Sequence, residues 1–298
     1  MQFVRWALPF AAAAVTGCAT AQPAGEAPAA AGTVVSATLD IAGTDYDVDW
    51  YLPDGPAAAL VTVQHGFTRH CDNLRQTGIR IMEQGLMGLC VNASMAGGNP
   101  ALAEALAVTL LSGITAPGGL ALPEKIVVGG HSAGGLFASR LGWKLDSLAP
   151  ARLVGAVLFD PVAAGPSLVG DLMAVSAAGT RPVLAVTSNP SACNADNNAY
   201  PALRQVSRDA VAAGRDGFVG LQLADRSTHV DAEGRDTDVV AVLACGQGRP
   251  LRQNTEALRS LAAQWAADLA SGTRQPGFYP GGAFVDGLIA DGKALLIE

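Results

Sequence analysis

Short apolar runs rich in β-branched residues alternate with longer segments of helical spacing along most of this chain. That alternation restricts the fold more than any other feature. Runs such as Ile126-Val127-Val128 and Val154-Gly155-Ala156-Val157-Leu158-Phe159 carry no polar residue on either face. Strands of this kind must be covered on both sides, as they are in a parallel sheet. Eight strand candidates read this way, at 33–40, 45–52, 58–65, 87–93, 125–131, 152–160, 182–188 and 217–224. Helices are expected near 72–84, 100–112, 133–146, 199–213 and 252–270, the last with Leu258, Leu261, Ala262, Trp265 and Leu269 along one face. The expectation is one doubly wound α/β domain over 33–298, built on a mostly parallel eight-stranded sheet. Half of the 298 residues are hydrophobic and 15% are charged, enough to bury a core of that size. Only about twenty residues separate Asp160 from the next strand candidate, which leaves no room for a large lid domain.

Gly130-His131-Ser132-Ala133-Gly134 falls between the strand candidate at 125–131 and the helix candidate at 133–146. A bare G-x-S-x-G means little in a chain with 35 glycines. In a strand-turn-helix setting it is a nucleophile elbow, where the glycines permit a sharp turn that lifts the serine hydroxyl out of the sheet. A serine nucleophile needs a histidine base and an acid to orient that base, in the chain order Ser, acid, His. Of His65, His70, His131 and His229, only His229 lies beyond Ser132, in the polar loop Ser227-Thr228-His229-Val230-Asp231. His131 adjoins the serine and is expected to point away from it and pack. Two carboxylates compete for the third role: Asp160, which closes the sixth strand, and Asp196, in the loop after the seventh. His65-Gly66-Phe67 at the end of the third strand offers the Phe67 N–H which, with that of Ala133, would point at a developing oxyanion.

The N-terminus reads as a targeting segment rather than as fold. Arg5 precedes a short apolar run from Trp6 to Val15, and Val15-Thr16-Gly17-Cys18 resembles a bacterial lipoprotein box. On that resemblance 1–17 is a cleaved signal, Cys18 receives the lipid, and 18–32 is an Ala/Pro-rich tether. Ala19 follows the cysteine in place of an Asp, which favours the outer membrane. Four cysteines remain for an exported chain, an even count that suggests two disulfides with three possible pairings. Cys71–Cys90 and Cys193–Cys245 are favoured, because each pair joins neighbouring loops or strand ends within one half of the sheet. No pair has the Cys-x-x-Cys spacing of a zinc site. The net charge of −7, with no Lys/Arg cluster, argues against nucleic acid as a partner.

Taken together, His65-Gly66-Phe67, Gly130 to Gly134, Phe159-Asp160-Pro161-Val162 and Thr228-His229 resemble the α/β-hydrolase superfamily. Within it the chain is similar to the chlorophyllase, platelet-activating-factor acetylhydrolase and cutinase-like esterase branch, over roughly residues 35–270. Chlorophyllase-like members also carry their acid after the sixth strand in an Asp-Pro-Val setting, and this favours Asp160 over Asp196. The resemblance implies a carboxylic-ester hydrolase with Ser132, His229 and Asp160 as its triad, needing no cofactor or metal. Its substrate would be a small-molecule or polymeric ester, reached from a membrane through the anchor on Cys18. The same triad would serve an amidase, peptidase or thioesterase, and a non-catalytic binding module on the same scaffold is a third reading.

Overall fold

Nine strands line up in one sheet in the computed structural model, which describes residues 31–298. Cys18, the signal segment and nearly all of the tether lie outside the described residues. The strands are β1 (Gly32–Ile41), β2 (Thr44–Pro53), β3 (Leu60–Thr62), β4 (Met87–Val91), β5 (Ile126–His131), β6 (Leu153–Phe159), β7 (Val183–Thr187), β8 (Phe218–Leu223) and β9 (Ala294–Leu296). Their order across the sheet is β1-β2-β4-β3-β5-β6-β7-β8-β9. β4, β3 and β5 to β8 run parallel, β2 is antiparallel to both β1 and β4, and β9 is antiparallel to β8. Ala42 and Gly43 turn β1 into β2, both with positive φ (53° and 82°), the twist a two-residue hairpin requires.

The parallel strands feed alternate residues into two cores. Ile126 and Val128 of β5, Ala156 and Leu158 of β6, and Val183 and Ala185 of β7 face one of them. That core is closed by α2 (Pro100–Leu111), α3 (Ala133–Leu148), α4 (Ser167–Ser176) and α5 (Tyr200–Ala212). Val127, Val157, Phe159, Leu184 and Val186 face the other, beneath α1 (Arg75–Met82), α7 (Arg252–Ser271) and α8 (Ala283–Ala290). This two-sided burial is the physical reason the runs are continuously apolar. The sixth helix in chain order, α6 (Val239–Cys245), is less tied to these cores and follows the loop that holds His229.

The eight expected strands are all present, although the third is cut to three residues and continues only through the bridge Gln64–Gly130. The ninth strand was not anticipated, because Ala294-Leu295-Leu296 is too short to show a period. Between β6 and β7 the chain forms α4, which packs on α3 as part of the helical layer and is not a lid. Helices α4, α6 and α8 were also not anticipated. Disulfides join Cys71 to Cys90 and Cys193 to Cys245, the two pairs favoured from the sequence. The first ties the turn before α1 to β4.

Trp265 is the largest side chain of α7 in the second core; it is fully buried, and its indole N–H donates to the Phe278 carbonyl at 2.8 Å. Trp265→Ala should therefore destabilise the domain by about 3–5 kcal/mol. Urea unfolding checks this, and an unchanged midpoint would contradict the packing described.

Candidate active site

Ser132 occupies the single residue between β5 and α3 and adopts φ 58°, ψ −125°, a region that non-glycine residues rarely enter. Backbone conformations of this kind typically cost about 1–3 kcal/mol and persist only where the surroundings enforce them. Here the Ser132 N–H donates to the Phe159 carbonyl at 3.0 Å, while its carbonyl accepts from Gly135 (2.9 Å) and Val162 (3.1 Å). The flanking glycines are needed for a concrete reason. A Cβ on Gly130 would sit 2.2 Å from the Gly134 carbonyl oxygen, and one on Gly134 would sit 2.3 Å from those of Gln64 and His65. Gly66 presses on the serine from the β3 side, where a Cβ would lie 2.8 Å from the Ser132 Cβ and 3.3 Å from its Oγ.

Asp160 follows β6 directly, with φ 42° and its N–H donating to Val186. Its carboxylate is buried, and Oδ2 lies 2.6 Å from Nδ1 of His229. Burial alone would raise its pKa. The hydrogen bond and charge of His229, with bonds from Ser188, outweigh that and hold it below the usual carboxylate range. Ser188 donates twice, from Oγ at 2.6 Å and from the backbone at 3.1 Å, and Asn194 Nδ2 donates at 3.1 Å. The Asn194 amide is itself fixed, because its Oδ1 accepts the N–H groups of Ser191 and Asn197.

His229 opens a short turn after β8 and is buried. Its N–H donates to Gln247 Oε1 at 2.8 Å, and its carbonyl accepts from His131 Nε2 at 2.7 Å. That bond puts the proton of His131 on Nε2. Burial pushes the His131 imidazole down to about 3, so it is neutral. The sequence suggested only packing for His131; beyond that, it anchors the His229 backbone, with the two rings 4.6 Å apart. Beyond His131 lies Glu233, buried and held by two bonds from Arg69, at 2.8 and 2.5 Å.

The hydroxyl of Ser132, Nε2 of His229 and the backbone N–H groups of Phe67 and Ala133 make no hydrogen bonds among the described residues. Ser132, Asp160 and His229 follow β5, β6 and β8, three strands that run in the same direction, so their carboxyl ends bring the three residues to one edge of the sheet. Asp196 is exposed in its loop and does not reach His229. His65 is buried with Nδ1 2.9 Å from the Gly66 carbonyl oxygen, and His70 is exposed. Among the described residues no group of three or more His, Cys, Asp or Glu side chains is gathered as metal ligands would be.

No protein-family model and no curated protein matches the chain. Solved structures do. A ferulic acid esterase from Streptomyces cinnamoneus superposes with a TM-score of 0.54 at 14% identity, covering 93% of this chain and 98% of that one. An esterase from Pyrobaculum calidifontis gives 0.53 at 15% identity, covering 80% and 86%. The fold is that of the α/β-hydrolases. At such identities the likeness is one of fold.

Sequence reasoning missed the residues that steady this edge of the sheet: Ser188, Asn194 and Gln247. They sit in polar loops, where composition signals a loop without saying which side chain turns inward. The one available signal was the cysteine count, because Cys193 adjoins Asn194 and its partner Cys245 lies two residues before Gln247. Removing a buried donor to a charged group costs about 1–3 kcal/mol. Asn194→Ala should lower stability by that amount, and Asn194→Asp by more, since it sets a second carboxylate against Asp160. Urea midpoints equal to wild type for both variants would contradict this network.

Proposed function

We propose that the protein is a serine hydrolase that cleaves carboxylic esters through an acyl-enzyme. The observation that carries the reading is the buried 2.6 Å bond between Asp160 and Nδ1 of His229, beside a serine held in a strained elbow. With Nδ1–H bound to a carboxylate, the lone pair of His229 is on Nε2, the tautomer a general base requires. Ser132 Oγ attacks the ester carbonyl carbon while His229 Nε2 takes its proton. The oxyanion accepts the Phe67 and Ala133 N–H groups, both of which lack internal partners. Collapse breaks the carbon–oxygen bond, and the proton on His229 passes to the departing alcohol. Water then repeats the sequence on the acyl-enzyme and regenerates Ser132. Asp160 stays ionised throughout and stabilises the imidazolium.

Support for an ester comes from the names of the two structural neighbours, both esterases. Asp160 follows β6 in an Asp-Pro-Val setting, which the chlorophyllase-like resemblance implies for the acid. The Phe67 ring is exposed next to Gly66 and offers an apolar contact to a lipid-like or polymeric ester. Lipidation of Cys18 and residence at the outer membrane belong to the same proposal, carried by the Val15 to Cys18 box.

A fluorophosphonate probe should label the wild type and leave Ser132→Ala unlabelled, with ester turnover falling by on the order of 10⁴-fold or more in that variant. Labelling retained by Ser132→Ala would sink the reading. For the anchor, mass spectrometry of the mature protein should find an acylated N-terminal Cys18, and an unmodified N-terminus beyond it would exclude lipidation.

A further inference from the structure

A cavity lies away from Ser132, Asp160 and His229, between the turn at Gly234–Thr237 and the first turn of α7. Its volume is about 590 Å³, within the usual range for small-ligand sites. Four arginines line it, Arg235, Arg249, Arg252 and Arg259, against two carboxylates, Asp236 and Glu256. In a chain of net charge −7 this is a local excess of positive charge. Arg235, Arg249 and Arg252 make no ion pair or hydrogen bond among the described residues. Asp236 is already engaged by the Gln76 N–H at 2.8 Å and lies 3.9 Å from Nη2 of Arg259.

Two buried groups point to a missing acceptor. Thr255 is only 5% exposed, lines the cavity, and its Oγ1 has no hydrogen-bond partner. A buried hydroxyl without a partner costs free energy that a bound ligand would recover. Arg259 is buried as well. It donates from Nε to Thr77 and from Nη2 to the Glu233 carbonyl, while Nη1 makes no bond among the described residues. Burial depresses its pKa, against the opposing pull of Asp236 and Glu256. Gly234, with φ 59°, packs directly against both residues: a Cβ there would lie 2.6 Å from Thr255 Cγ2 and 3.1 Å from Arg259 Nη2. The N-terminus of the twenty-residue α7 opens at the same place, and its N-cap, Leu251, supplies no side-chain acceptor. Unsatisfied N–H groups and the positive end of the helix dipole favour an anion there.

We propose that this cavity binds a phosphoryl group, either free phosphate or the monoester terminus of a larger molecule. Guanidinium groups, a hydroxyl and helix N–H groups are all donors, and a phosphoryl offers three oxygens to them where a carboxylate offers two. The volume leaves room for an organic part beside the phosphoryl.

Calorimetric titration of the full-length protein with inorganic phosphate and with glycerol 3-phosphate, against chloride at matched ionic strength, tests the site. Co-sedimentation with phosphatidylcholine vesicles, with and without phosphatidic acid, tests the headgroup source. Saturable binding of either small anion assigns the site to soluble phosphates. Binding of phosphatidic acid vesicles alone assigns it to a headgroup, and both outcomes support the proposal. Thr255→Val should weaken binding about 3- to 10-fold, and Arg249→Ala with Arg252→Ala more than about 10-fold. These three side chains lie outside the triad, so folding is checked by unchanged ester turnover. Absence of binding to all of these probes, or equal affinity in wild type and variants, would overturn the proposal.

Discussion

At the elbow, backbone packs on backbone more closely than any side chain allows, and the geometry of the site depends on that contact. The segment after β3 and the turn around Ser132 meet with carbonyl oxygens of Gln64, His65 and Gly134 where Cβ atoms of Gly130 and Gly134 would be. Bonds from Ser132 to Phe159 and from Val162 to Ser132 then lock the strained serine to the strand that carries Asp160. Gln64 extends the same tie sideways, since its side chain bonds both the N–H and the carbonyl of Val91 at the end of β4. The elbow is held by the sheet on both sides, so the position of Ser132 is set by strand register rather than by the loop it occupies.

Electrostatics imposes the second constraint. A carboxylate buried as fully as Asp160 stays ionised only when donors replace the water it has lost. Four donors do so: the His229 imidazole, the Ser188 hydroxyl and N–H, and the Asn194 amide. Two of these residues come from the loop after β7, and the Cys193–Cys245 bridge joins that loop to the end of α6, two residues before the glutamine that holds His229. On the far side, the Arg69–Glu233 pair links the loop after β3 to the turn after His229. A buried pair of this kind contributes little net stability, but losing one partner strands a charge. Its effect is to keep the loop carrying Phe67 in register with the turn carrying His229.

The cavity lined by arginines shares this second set of ties. Thr77 donates to the Ala232 carbonyl, and Arg259 bridges Thr77 and the Glu233 carbonyl, so one wall of the cavity is the turn that follows His229. The apolar core beneath α7 supports the cavity, because Leu258, Leu261 and Trp265 fix the helix whose first turn opens onto the cavity.

Much of this was legible without coordinates. Runs buried on both faces announce a parallel sheet because their alternate residues must enter two cores, as Val127 and Val128 do. The elbow was legible because a glycine–serine–glycine turn between strand and helix leaves few other geometries. Between Asp160 at a strand end and Asp196 in a loop, it was chiefly the resemblance to chlorophyllase-like members that favoured Asp160. Other features depend on contacts between residues far apart in the chain. The three-residue β9 exists only because β8 offers it a free edge. Ser188, Asn194 and Gln247 are polar residues in polar loops, and nothing local distinguishes them from neighbours such as Asp196 that face solvent. Patterning along the chain determined the sheet and the strained turn at Ser132, because periodicity and strained turns are local properties. Only the tertiary structure decided which donors keep Asp160 ionised and what holds His229, because desolvation is set by whatever the whole fold brings within hydrogen-bond reach.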